Sequence, residues 1–219
     1  MNLFLLAHGL GDYVCQSDTL VNMKKEGNLR GYAVHFLIIL LFDLIAVIPI
    51  LSWQSMLAAL IIAAAHILID YVRYILFKSD NVYLFLIDQC AHILVILAVS
   101  VLLSLPSYSP LYVDYAVIYV YVVFGGALLI RHVLDTIALQ SSQYAVRNAG
   151  KIVGILERSI ILILAAIGEI SAIGFVIAAK SIARFKELND KEFAEYYLIG
   201  TMLSVLLALV GGLAAKSLV

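Results

Sequence analysis

Charge is scarce in this chain. Only 13% of its 219 residues are Asp, Glu, Lys or Arg, and 64% are apolar. Soluble domains carry about 25% charged residues, so too little polar side chain remains here to cover a water-facing surface. The mean hydropathy of +1.05 says the same. A long polar tail is missing too, which leaves no room for a soluble domain beside the apolar segments. Cysteine is limited to Cys15 and Cys90, an even count that permits one disulfide although nothing in the spacing suggests a framework; both are expected to be free thiols packed among helices. A net charge of −1 with dispersed Lys and Arg gives no reason to expect nucleic acid. The start, M-N-L-F-L-L-A-H, has no preceding basic stretch and no good cleavage site after it, so a removed signal peptide is not expected.

What is abundant is Leu, Ile, Val and Ala in long runs, with only three Pro. A helix needs about 20 mostly apolar residues to cross a bilayer. That rule predicts spans near 31–52, 56–77, 82–105, 113–137 and 195–217. The stretch 151–188 is too long for one crossing and is expected to fold as a helical hairpin turning at Gly168-Glu169. Residues 1–22, interrupted by Gly9, Gly11 and Asp12, are expected to form a further helix that enters or crosses the membrane. The expected fold is therefore all-α, a polytopic transmembrane bundle of about seven or eight helices in a single domain over 1–219. His/Asp-bearing helices occupy 1–105, and helices with a Glu/Arg/Lys cluster occupy 113–219.

Cytoplasmic loops carry the Lys/Arg excess of bacterial membrane proteins. With the 23–30 loop inside, Lys24, Lys25, Arg30, Arg73, Lys78, Arg131, Arg147, Lys151, Arg158, Lys180, Arg184, Lys186 and Lys191 all fall on the cytoplasmic half. Of the 14 Lys and Arg, only Lys216 does not. The expected location is a membrane, with basic loops cytoplasmic. Membrane lipids are the immediate partners, and the sequence leaves room for a homo-oligomer.

Ionisable residues inside apolar helices are costly, by about 2.5–3.5 kcal/mol each on insertion scales, and mark functional sites by default. Here they recur in one form: His8 and Asp12, His66 and Asp70, Asp88 and His92. Each pair is spaced i,i+4, so both side chains project from one helix face. His35 stands near the start of the second helix. At about 1.5 Å of rise per residue, Asp70 and Asp88 lie at one depth below a shared turn, and His66 and His92 lie at a second. Three buried carboxylates repel one another and lose hydration. A divalent cation removes that problem, and mixed N and O ligands suit zinc first, then manganese or iron. His8, Asp12, His35, His66, Asp70, Asp88 and His92 are the candidate ligands, enough for one or two ions. Asp12, Asp70 and Asp88 are the candidate catalytic carboxylates. A proton relay would use the same residue types. Asp43 reads as a supporting partner or an unrelated buried acid, and His132 and Asp135 read as interfacial.

A second polar set comprises Glu157, Arg158, Lys180 and Arg184. One reading is snorkelling cations and ion pairs that lock the hairpin to the last helix. The other is an anion site, with Arg73 assisting, that holds a phosphate or carboxylate.

The segments L-L-A-H-G-L-G-D-Y-V-C-Q, A-H-I-L-I-D-Y and L-I-D-Q-C-A-H resemble a bacterial integral-membrane family of unknown function. G-K-I-V-G-I-L-E-R and A-A-K-S-I-A-R-F look like the same family. The H-x-x-x-D helices are also similar to those of small inner-membrane proteins described as metal-dependent hydrolases. Those proteins carry an H-R-G-x-T-H-S segment that this chain lacks, His8-Gly-Leu-Gly-Asp12 standing in a comparable place.

Together these features predict a membrane-embedded metalloenzyme, a hydrolase or transferase acting on a lipid-like, phosphorylated substrate at the cytoplasmic leaflet. An ion- or proton-coupled transporter using the same His/Asp site is the first alternative. A structural scaffold is the second.

Overall fold

The computed structural model describes residues 1–77, 79–137 and 147–219, the stretch 147–149 through its backbone only. Lys78, residues 138–146 and the Arg147 side chain lie outside the described residues, so the places of Lys78 and Arg147 in the charge count above do too. Among those described, every regular element is helical. Two compact units divide the chain, Met1–Val120 and Tyr121–Val219.

The first unit holds α1 (Asn2–Gly9), α2 (Asp18–Lys25), α3 (Leu29–Val47), α4 (Trp53–Leu76), α5 (Val82–Leu102) and α6 (Leu111–Tyr119). The second holds α7 (Gly126–Thr136), α8 (Arg147–Ile167), α9 (Ile170–Ala183) and α10 (Lys191–Lys216). Five helical stretches are long and apolar enough to cross a bilayer: Leu29–Ile50, Trp53–Leu76, Val82–Leu102, Leu111–Thr136 and Lys191–Lys216. They fall within a few residues of the five spans expected from hydropathy. On α3, Leu37 and Leu41 are exposed while His35 and Asp43 are fully buried, which is the pattern a hydrocarbon solvent demands.

Two segments differ from expectation. Residues 1–22 do not make one helix broken at its glycines. α1 runs on through a π-helical turn, Leu10–Val14, and stops at Cys15. Ser17 then caps a separate α2 by accepting a hydrogen bond from the Leu20 N–H at 3.3 Å. The glycines keep the chain helical and let it pack closely: a Cβ on Gly11 would lie 2.4 Å from Ile39 Cδ1. The hairpin does turn at Gly168-Glu169. Gly168, at φ +87°, closes α8 as a Schellman cap, with the Glu169 N–H on the Leu164 carbonyl at 2.8 Å and the Gly168 N–H on Ala165 at 3.1 Å. Its second arm, α9, has 14 residues. That is about 21 Å of helix, short of a hydrocarbon core of about 30 Å.

The apolar core of the first unit joins Leu3, Phe4 and Ala7 of α1 to Ala46 and Val47 of α3, Ala58, Ala59 and Ile62 of α4, and Ile96 and Val99 of α5. Alanines on α4 let α1 and α3 come close. In the second unit α8 packs along α10 where Gly212 meets Ala165 and Leu162, a small-residue contact of the kind that holds membrane helices together. Both cysteines are free, but they are exposed and not packed inside. Cys90 lies on the outward face of α5, between the inward positions of Asp88 and His92.

Candidate metal centre

Four elements of the first unit bring their polar faces to one place. The π turn of Leu10–Val14 carries Asp12, α3 carries His35, α4 carries His66 and Asp70, and α5 carries Asp88 and His92. The i,i+4 spacing does what the sequence suggests on α4 and α5, setting His and Asp one above the other. The wider π turn rotates Asp12 inward, and Gly11 allows the close approach to α3 that the geometry needs. All seven candidate ligands are buried.

The tightest grouping is a triangle. Asp12 Oδ1 lies 3.1 Å from His35 Nε2 and 3.1 Å from His66 Nε2, and the two nitrogens are 3.0 Å apart. Hydrogen bonding alone serves this triangle poorly, because two N–H groups aimed at one carboxylate oxygen would also face each other. Lone pairs about 3 Å apart are the arrangement of atoms about 2.1 Å from a shared ion. Asp70 Oδ2 stands 3.5 Å from His35 Nε2 and 3.9 Å from His66 Nε2. His92 Nε2 lies 3.6 Å from both Asp70 Oδ1 and Asp88 Oδ2, and its ring stacks on His66 at 4.0 Å. His8 closes the far side, with Nδ1 3.9 Å from Asp12 Oδ2 and its ring 5.2 Å from that of His92. Three overlapping groups can hold a metal: His8, Asp12 and His66; His35, His66 and Asp70; Asp70, Asp88 and His92.

Several participants were not among the candidate site residues of the sequence. Gln16 Nε2 sits 3.0 Å from His35 Nε2. Gln89 donates to Asp88 Oδ2 at 3.1 Å, and its Oε1 lies 3.3 Å from His8 Nε2 and accepts from the Tyr13 hydroxyl. Tyr13, Gln16 and Gln89 all stand in the segments that carry the family resemblance, but as an amide or a phenol none was a candidate ligand. Lys24 is the largest omission. Hydropathy assigns it to a loop, yet it is 1% exposed and its Nζ binds Asp70 Oδ2. Gly31 makes room for this: a Cβ there would lie 2.8 Å from Met23 Cβ and 3.2 Å from the Lys24 nitrogen. The Tyr32 hydroxyl then donates to the Lys24 carbonyl at 2.9 Å.

Lys24 changes the charge argument. The three carboxylates do not depend on a metal alone, because Asp70 has Lys24, and Asp88 has Arg73 Nε at 3.9 Å. Asp12 is the exception: among the described residues no Lys or Arg pairs with it, only His8, His35 and His66. At the rim, Arg73 donates to Asp80 at 2.7 Å, and Lys25 binds the same carboxylate. Burial pushes the Asp80 carboxyl up, but Lys25 and Arg73 outweigh it and hold the group below the usual carboxylate range.

Asp43 is fully buried, and neither carboxylate oxygen has a hydrogen-bond partner among the described residues. It lines a cavity with His8, His66 and His92, closed otherwise by Ile39, Ile62, Val95 and Ile96. The cavity, about 10 Å³, has the space of one water molecule.

In the second unit Glu157 Oε2 accepts from Lys180 at 2.6 Å. Arg158, 3% exposed, donates Nε and Nη2 to the Val123 carbonyl at 3.0 and 2.8 Å. Val123 lies in a π-helical segment, Val120–Gly125, where the widened turn leaves its carbonyl for a side chain to satisfy. Arg184 is exposed, 3.5 Å from Glu187. His132 Nδ1 lies 2.8 Å from the Leu128 carbonyl, and exposed Asp135 lies 3.9 Å from Arg131.

Fold and site together define an all-helical protein with membrane-length helices and a buried His/Asp cluster able to hold a metal. The family described as a protein of unknown function (DUF3307) matches residues 1–118, and the chain belongs to it. The match takes in every candidate ligand and ends before Glu157, whereas resemblance over most of the chain was expected. No curated protein matches, and no solved structure does.

Proposed function

We propose that this chain is a polytopic metalloenzyme of the bacterial inner membrane that hydrolyses or transfers a group on a lipid-like, phosphorylated substrate at the cytoplasmic leaflet. The observation that carries the reading is the triangle of Asp12, His35 and His66, built around the one site carboxylate that no Lys or Arg neutralises. His8, His35, His66 and His92 with Asp12, Asp70 and Asp88 hold one or two divalent ions, zinc in the first place, manganese or iron in the second. A divalent ion so held supplies Lewis acidity and lowers the pKa of water. A carboxylate among Asp12, Asp70 and Asp88 that is not a ligand serves as general base. Arg73 provides a cationic group for the head group; Arg158, Lys180 and Arg184, with Glu157 fixing Lys180, form a second candidate anion-binding set within the second unit. The likeness of the H-x-x-x-D helices to membrane metal-dependent hydrolases supports the reaction class. The test is turnover: purified protein, loaded with zinc or manganese, is offered phosphorylated lipids and released phosphate is measured. Activity that is lost with chelation and in Asp12→Asn supports the enzyme. A metal-loaded protein that turns over none of them overturns it.

Asp43 favours a second reading, an ion- or proton-coupled transporter. Its bare carboxyl lies eight residues beyond His35 on α3, about 12 Å along the helix, and shares a cavity with three imidazoles. Ion-coupled carriers place such groups in series across the membrane. In proteoliposomes, cation or proton flux abolished by Asp43→Asn selects the transporter. Flux that is absent in the wild type removes it.

A further inference from the structure

We propose that Lys24 and Arg73 form the anion-binding half of the His/Asp site, and that its ligand is a phosphate group taken up together with the metal. The inference rests on the metal reading above and names the residues that recognise the substrate. It gives that role to two cations inside the first unit, in place of Arg158 and Lys180 of the second.

The argument starts from what each cation holds now. Lys24 Nζ binds Asp70 Oδ2, and Asp70 belongs to two of the three groups able to hold a metal. Among the described residues, Arg73 Nε is buried without a hydrogen-bond partner and lies 3.9 Å from Asp88 Oδ1, which also has none. Asp88 belongs to the third group. The two cations flank one phenol ring: Lys24 Nζ is 5.7 Å and Arg73 Cζ 4.7 Å from the centre of Tyr74. The same two carboxylates therefore have two suitors, a fixed pair of side-chain cations and a divalent ion.

Those suitors cannot both be satisfied by protein alone. When an ion takes Asp70 and Asp88, the Lys24 ammonium loses its counter-charge, and the Arg73 guanidinium keeps only Asp80, which its Nη2 meets at the rim, while its Nε side is left without one. Lys24 is 1% exposed, and the Arg73 side chain is 11% exposed, so water cannot replace what they lose. A phosphate can. Its oxygens accept from an ammonium and from a guanidinium at once, and it restores charge balance beside a divalent ion. Metal and anion then favour each other's binding, and by linkage the coupling is reciprocal. The sequence concealed this because Lys24 reads as a loop residue; only the packing of Gly31 under α2 delivers it to Asp70.

The experiment uses full-length protein in phosphatidylcholine nanodiscs, stripped of metal or loaded with zinc. One arm measures binding of inorganic phosphate by equilibrium dialysis. The other measures the shift in melting temperature when phosphatidic acid is included in the disc. Wild type is expected to bind phosphate roughly tenfold more tightly with zinc than without, a coupling of ordinary size. Lys24→Gln is expected to keep its zinc, with affinity no weaker because a competing ammonium is gone, and to lose phosphate binding roughly tenfold. Lys24→Arg restores it, and Arg73→Gln, a second and independent variant, weakens it with zinc intact. Binding in the inorganic arm identifies free phosphate as the ligand, and binding in the lipid arm identifies a head group. Zinc-loaded protein that binds neither, or binds either as tightly in Lys24→Gln and Arg73→Gln, overturns the proposal while leaving the metal reading standing. A wild type that takes up no zinc overturns the metal reading, and this one with it.

Discussion

His35 Nε2 and His66 Nε2 lie 3.0 Å apart on two different helices, α3 and α4, and both lie 3.1 Å from one oxygen of Asp12 on a third segment. No local rule of helix geometry produces that contact. It needs α1 to continue as a wider π turn, and it needs α3 to pass within reach of Gly11. The backbone of the first unit is thus arranged to bring three atoms able to coordinate a metal to one point.

Gly11 is the residue on which this convergence depends. Gly11→Ala places a methyl 2.4 Å from Ile39 Cδ1, and Ile39 is 1% exposed, with nowhere to retreat. Overpacking of this kind costs about 1–3 kcal/mol and displaces Asp12. The variant is expected to melt at lower temperature and to bind metal more weakly. Ile39→Val removes the offending Cδ1, and the double variant should recover both properties.

The pair of Glu157 and Lys180 offers a test in the second unit. Glu157 is 5% exposed, and its Oε1 has no hydrogen-bond partner among the described residues, so Lys180 alone neutralises it. Lys180→Met leaves a buried carboxylate behind, and removing one partner of a buried pair costs about 3–5 kcal/mol. The Lys180 side chain is 23% exposed, which puts the effect near the lower end. Glu157→Gln with Lys180→Met should return close to wild type in a denaturation series. Equal losses in the single and double variants would show that the pair does not hold α8 to α9.

Acid should loosen α2. Asp80 accepts from Lys25 of α2 and Arg73 of α4, and these two hold its carboxyl below the usual range against the effect of burial. A carboxyl depressed by folding stabilises above its unfolded value of about 3.9. That contribution disappears as pH falls through the lower folded value. Amide protection in α2, corrected for intrinsic exchange, should therefore decline between about pH 5 and pH 3. Asp80→Asn should show lower protection at the upper end and little further change. Because Asp80 is partly exposed, the difference is modest.

The five apolar spans were legible because hydropathy and length decide membrane crossing almost by themselves. The His/Asp pairs were legible for a similar reason: spacing of four puts both side chains on one face, and Asp70, His66, Asp88 and His92 need little more to meet. Lys24 was not, because its position depends on a short helix started by Ser17 and seated against Gly31, a tertiary arrangement with no periodic trace. The inward turn of Asp12 was hidden similarly, since a π turn breaks the 3.6-residue repeat on which sequence reading relies. Arg158 read either as an ion-pairing cation or as part of an anion site, and its contact with the Val123 carbonyl had no trace in the sequence, because that backbone atom belongs to another π segment. The exposed thiols of Cys15 and Cys90 followed from helix rotation, which hydropathy does not specify.

Metal content addresses the central claim most directly. The full-length protein, purified in mild detergent without chelators, is compared with Asp12→Asn and His35→Ala/His66→Ala, each checked for an intact, monodisperse fold. The account predicts one or two equivalents of zinc, manganese or iron in the wild type, and a sharp fall in both folded variants. A wild type without metal, or variants that keep it in full, would contradict it.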